Sequence, residues 1–331
     1  MTIDDGPQTP SPPPPARPGA SFFTIEGRAA PGLFVVGWLA SILGLALTFV
    51  GALSASTPLV FLAGPGLLSI GLIAACGNQA LERRSRGEQY AGPSPFLVFA
   101  AIVAVTYFVG FVLGVALDFA IGPDRQLAAP IVQLIGGLLT AAIFVGVVRL
   151  TVVGTDALTW ADMRIRRIDR RALDDLAIGA SLAAPVIVVT VAVSALLVAL
   201  FKVQPTSPLP PTGTTTGLIL QLLTGALIAP IAEEIFFRGF ALTAWERSLG
   251  AGRAIIRSSL LFVLAHVISI EGTTLGEAIG LIAVGALSRL PVAWVLGLVF
   301  VRRRSIWASI GLHATFNGVL VLVAASRIGQ P

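Results

Sequence analysis

The sequence predicts an all-α fold: a polytopic membrane helical bundle of about nine transmembrane helices, with its candidate functional core in the C-terminal half. Three observations predict it. Of 331 residues, 55% are hydrophobic and only 12% charged, where soluble domains carry about 25% charged residues. The mean hydropathy is +0.90. The charges fall in clusters between uncharged runs of about the 20 residues that cross ~30 Å of hydrocarbon. The formal net charge of +5 then reads as basic loops on one side of a membrane, not as a nucleic-acid surface. The single cysteine, Cys76, excludes an intramolecular disulfide and a cysteine-rich metal site. At the end of an apolar segment it reads as a small hydrophobe rather than a functional thiol.

Residues 1–30 read as a disordered, Pro-rich cytoplasmic tail, with Pro7, Pro10, Pro12 to Pro15 and Pro18 among small polar residues. It lacks the basic start and apolar stretch of a signal peptide. Residues 31–150 form an N-terminal extension of four spans, at 33–54, 58–76, 96–120 and 128–149. Residues 151–174 are a basic interfacial segment in which Trp160, Met163, Ile165 and Ile168 interleave with arginines. It reads equally as a short helix lying at the interface or as a plain solvated connector. Residues 175–327 hold five further spans, at 175–201, 216–246, 255–270, 276–301 and 305–326. Pro230 predicts a kink in the sixth.

The loops set orientation. Arg83, Arg84 and Arg86 follow span two, and Arg164, Arg166, Arg167, Arg170 and Arg171 follow span four. Arg247 and Arg253 follow span six, and Arg302, Arg303 and Arg304 follow span eight. The alternate loops hold only Arg125, Lys202 and Arg327. By the positive-inside rule the protein sits in the cell membrane with its N-terminus cytoplasmic and its C-terminus outside.

Within the spans, ionisable groups are expensive and mark function. Glu233, Glu234 and Arg238 lie in span six, His266 in span seven, His313 and Asn317 in span nine. Glu234 and Arg238, four apart, share a helix face and pair, while Glu233 is turned about 100° away and stays free. Glu233 lies about 14 residues from Arg247, His266 about 13 from Arg253, and His313 and Asn317 about 9 and 13 from Arg304. At about 1.5 Å per residue these are depths of roughly 21, 20, 14 and 20 Å. A similar level on three helices is what one shared site predicts. A lone buried histidine is more often a packing residue, and a lone Glu-Glu pair is as often a structural ion pair. Arg289, mid-span in segment eight beside Pro291, either pairs with a carboxylate or marks a helix break.

No Gly-x-Ser-x-Gly elbow, His-Glu-x-x-His helix or phosphate loop is present. A carboxylate and a histidine can together take a proton from water, and a second histidine and an asparagine can stabilise an oxyanion. These parts suffice to hydrolyse an amide. Equally, Glu233, His266 and His313 are the right number and type for a catalytic Zn²⁺ with water as fourth ligand. A metal-free glutamate mechanism is the preferred reading.

Glu233-Glu234-x-x-x-Arg238, Phe262-x-x-x-His266 and His313-x-x-x-Asn317, in successive membrane segments, resemble the CPBP intramembrane proteases. That family includes the type II CAAX prenyl endopeptidases and the bacteriocin self-immunity proteins. The resemblance covers roughly residues 175–326. It implies that Glu233 activates water with help from His266, that His313 and Asn317 bind the oxyanion, and that Glu234 and Arg238 support the site. Its partners would be membrane lipids and a peptide or lipidated-protein substrate. The competing readings are a non-catalytic membrane regulator and an ion-coupled transporter. No inverted repeat supports the transporter. An arginine-rich chain whose only lysine is Lys202 reads as bacterial.

Overall fold

The structure is a computed structural model and describes residues 23–25, 28–30, 32–54, 58–121, 125–203 and 214–326. The expected Pro-rich tail lies largely outside the described residues. A two-residue antiparallel pair, β1 (Thr24–Ile25) with β2 (Arg28–Ala29), precedes the helices.

The four spans of the N-terminal extension are α1 (Leu33–Ser54), α2 (Pro58–Ser85), α3 (Pro95–Ile121) and α4 (Arg125–Val148), the last running on through a π-helical turn at Arg149–Val153. α1 packs along α2 and turns Phe34, Leu39, Phe49 and Leu53 outward, as a lipid-facing helix does. Span five is two helices, α5 (Arg170–Ser181) and α6 (Ala183–Phe201). α5 starts where Asp169 accepts a hydrogen bond from the Ala172 N–H, an N-cap. It then packs against α12 (Ile306–Ser326) at reciprocal glycines. A Cβ on Gly179 would stand 2.0 Å from the Ala308 carbonyl oxygen, and one on Gly311 2.2 Å from that of Leu176. Small residues of this kind let membrane helices touch backbone to backbone.

Span six is a continuous helical stretch built from α7 (Thr215–Leu222), α8 (Ala229–Glu234) and α9 (Thr243–Leu249), joined by π-helical segments at Leu223–Ile228 and Ile235–Leu242. Pro230 has no N–H to give the preceding turn, and the first π segment ends just before it. The predicted disturbance thus takes the form of a change of pitch. Gly250, at φ +81°, makes the turn into α10 (Ala251–Val267) that an L side chain rarely adopts. α11 (Leu275–Arg303) runs unbroken through Pro291.

Seven helical stretches among the described residues are long and apolar enough to cross a membrane, so the chain is a polytopic helical membrane protein. Of the nine predicted spans, those formed by α2 and α10 fall outside this set. α10, at 17 residues, reaches only about 25 Å. Around span six, Phe236, Phe237, Phe240, Leu261 and Phe300 form the buried centre.

The arginine-rich loops meet at one end of the bundle. Arg84 donates to the Thr155 carbonyl, Arg247 pairs with Asp162, and Arg164 pairs with Glu246 at 2.6 Å. Asp175, 1% exposed, is held by Arg166 and Arg303, and Trp307 Nε1 donates to the Arg166 carbonyl. Residues 154–169 are neither of the two forms expected of them. They are a run of turns, not a helix, and Thr155, Leu158 and Met163 are buried rather than solvated. The reason is packing: Met163 and Leu158 complete the apolar core beneath span six.

Candidate active site

Glu233 and Glu234 sit at the junction of α8 with the second π segment. Their side chains diverge, as adjacent helical residues must. Glu234 is 0% exposed and turns inward; Glu233 is 22% exposed. Glu234 Oε1 accepts from Arg238 Nη1 and from His313 Nδ1, both at 2.8 Å. Arg238 also donates to the Ala293 carbonyl at 3.2 Å and lies 4.6 Å from the centre of the Phe262 ring. Four apart on one helical face, the two charges compensate each other where neither could stand alone.

Phe262 organises the next element. Its carbonyl accepts from His266 Nδ1 at 2.8 Å, and its ring lies 4.3 Å from the His266 ring and 5.6 Å from the His313 ring. The i, i+4 spacing of Phe-x-x-x-His on α10 makes both contacts geometrically natural. A carbonyl can only accept, so the His266 proton is on Nδ1. The carboxylate partner likewise places a proton on His313 Nδ1. Both Nε2 atoms then point at Glu233 Oε2, His266 at 3.9 Å and His313 at 3.8 Å.

Glu233 Oε2 is buried and has no hydrogen-bond partner. With the imidazoles neutral, three acceptors converge on one small volume with no donor among them. Such a constellation calls for a proton donor, and a water molecule supplies two protons. A cavity of about 350 Å³ reaches this point, bounded by Glu233, His266 and Phe237 on one side and by α3 and α4 on the other.

The site thus joins three of the predicted residues, Glu233, His266 and His313. It ties Glu234 and Arg238 behind them, as their spacing implied. Asn317 is placed differently: its Nδ2 donates to the Gly225 carbonyl at 2.9 Å, clamping α12 to the first π segment. Arg289 forms no ion pair among the described residues. It donates to the carbonyl of Gly285, four residues earlier, at 2.8 Å, and its charge acts on Glu233 from a distance. Helix α11 does not break there. Among the described residues, no three His, Cys, Asp or Glu side chains gather as a group able to hold a metal ion. No step below passes through a metal. Sequence reasoning missed the α3 and α4 wall, which has no polar signature, and Asp175, whose pairing to both Arg166 and Arg303 only the tertiary fold reveals.

Fold and site define a class: a helical membrane protein with a carboxylate and two imidazoles facing one another inside the bundle. Residues 215–319 match the family described as type II CAAX prenyl endopeptidase Rce1-like. The matched stretch runs from α7 into α12 and includes all six predicted site residues. Neither the curated proteins nor the solved structures gave a match.

Proposed function

We propose that the chain is an intramembrane endopeptidase that hydrolyses peptide bonds of membrane-associated or lipidated peptides, with Glu233 as the base for the attacking water. The observation that carries this reading is the partnerless Glu233 Oε2 between two imidazole Nε2 atoms. Water seated there gives one proton to Glu233, assisted by His266, and its oxygen adds to the scissile carbonyl carbon. Glu233 passes that proton to the leaving nitrogen, the C–N bond breaks, and the products are an acid and an amine. His313, its Nδ1 fixed on Glu234 at 2.8 Å, is the residue assigned to the oxyanion. Asn317 has a second amide N–H beyond the one given to Gly225.

The orientation read from the basic loops, with the arginine-rich end in the cytoplasm of a bacterial cell, belongs to the same proposal. So do lipids and a peptide as the partners, with no nucleic acid. A second reading, a non-catalytic membrane regulator, draws on Asn317, which is engaged in a helix clamp. The two separate on one experiment. The purified protein in liposomes, given a membrane-anchored fluorogenic peptide, is expected to lose about 100-fold or more of its rate in the Glu233→Gln variant. Cleavage at the parent rate in that variant overturns the enzyme reading.

A further inference from the structure

One face of α3 walls the cavity opposite the site: Phe99, Ile102, Val103, Thr106 and Tyr107, joined by Phe144 of α4. The spacing i, i+3, i+4, i+7, i+8 is that of a single helical stripe. These helices lie outside residues 215–319, the family segment. The stripe is apolar apart from the Tyr107 and Thr106 hydroxyls. The Thr106 hydroxyl is buried and has no hydrogen-bond partner. Helical threonines ordinarily return that proton to the carbonyl four residues back, as Thr48, Thr151 and Thr224 do in this molecule. Thr106 does not, and its side chain borders the same cavity as Glu233 and His266.

We propose that α3 and α4 complete the substrate cleft, and that Thr106 hydrogen-bonds the backbone of the bound peptide. The proposal rests on the hydrolase reading above and names what its site holds: a short, extended, apolar stretch of polypeptide. The occupant must be extended because a helix closes its own backbone groups and hides the scissile carbonyl. An unwound backbone inside a membrane needs partners, and Thr106 offers one. The cavity, about 350 Å³, is at the low end of the ~300–1,000 Å³ of ligand sites, which suits a few residues rather than a folded partner. Phe99, Tyr107 and Phe144 supply the seat for an apolar side chain beside the cleaved bond.

Two measurements test it. The first needs no activity. In a Cys76→Ala background in liposomes, Thr106→Cys is expected to react with a charged methanethiosulfonate at least about tenfold faster than Val112→Cys. Val112 is a lipid-facing position on the same helix. Equally slow labelling of both shows that no wet cleft exists there and overturns the proposal. The second follows cleavage of the fluorogenic peptide. Thr106→Val is expected to lower kcat/KM about tenfold and Thr106→Ser to restore most of it, the size of one lost hydrogen bond. If Thr106→Val cleaves like the parent while Glu233→Gln is inactive, the cleft proposal fails and the hydrolase reading stands. If parent and Glu233→Gln are equally inactive, the hydrolase reading fails and the labelling contrast still decides the cleft.

Discussion

Two adjacent glutamates divide the centre of this protein into a closed half and an open half. In the closed half, Glu234, Arg238 and the Nδ1 edge of His313 compensate one another out of reach of solvent. In the open half, Glu233 and His266 border a cavity, and Glu233 Oε2, 3.8 Å from the Nε2 edge of His313, has no hydrogen-bond partner. His313 belongs to both, with one nitrogen in each. The difference teaches which groups hold and which react. A buried ion pair fixes geometry at a large penalty for breaking it, even though Glu234 Oε2 and Arg238 Nε have no hydrogen-bond partner, while an unpaired oxygen beside a cavity keeps its capacity for a substrate or a water.

The sharpest way to break this comparison is to exchange the consequences of the two glutamates. Glu233→Gln is expected to abolish peptide cleavage and leave the unfolding midpoint in detergent within a degree or two of the parent. Glu234→Ala is expected to do the reverse first: about 3–5 kcal/mol of stability is lost because Arg238 remains buried without its partner. A Glu234→Ala protein that unfolds no more easily than the parent would remove the closed half as a structural unit. Next in size is Asn317. If its main work is the bond to Gly225, Asn317→Ala costs about 1 kcal/mol in unfolding and cleavage falls only in step with folding. A loss of kcat at unchanged stability would instead assign it to the oxyanion. Metal dependence sharpens the open half further. Cleavage is expected to survive dialysis against a strong chelator, and stoichiometric zinc lost together with activity would overturn a water-and-glutamate centre.

How much of this was legible in the sequence follows from what each feature depends on. Helix-face logic gave the Glu234–Arg238 pair, because i, i+4 spacing needs no tertiary knowledge. It gave the grouping of Glu233, His266 and His313 only through depth. The straight-helix count put Glu233 about 7 Å deeper than His313, yet they face each other at 3.8 Å. The π segment Ile235–Leu242 puts more residues into each turn, so Glu233 sits nearer the arginine-rich end than that count allows. Nothing in residue types alone announces such a segment. The same blindness applies to α5. Asp175, read as the first residue of a span, is instead a buried anchor for arginines 9 positions back and 128 positions on. A pairing over such separations belongs to the fold. The apolar stripe of α3 was indistinguishable from a lipid-facing helix until a cavity was seen beside it.

The smallest expected effect contrasts the sealed centre with the arginine-rich end. Asp162 Oδ2 accepts from the Thr159 N–H and hydroxyl, and Arg247 pairs with its other oxygen. Partial burial pushes this carboxyl up, but the Thr159 hydrogen bonds and the Arg247 guanidinium outweigh it and hold it below its usual 3.8. A carboxyl depressed by folding adds stability above its unfolded value and loses it as pH falls through its folded one. The midpoint gap between parent and Asp162→Asn should therefore be flat from about pH 7 to pH 5 and close below about pH 4. Both partners are about a third exposed, so the gap should be well under 1 kcal/mol and shrink in molar salt. The penalty of Glu234→Ala, sealed from solvent, should not respond to salt. If salt weakens both alike, Glu234 is in contact with water and the closed half is not closed; if it weakens neither, Asp162 does not act through charge.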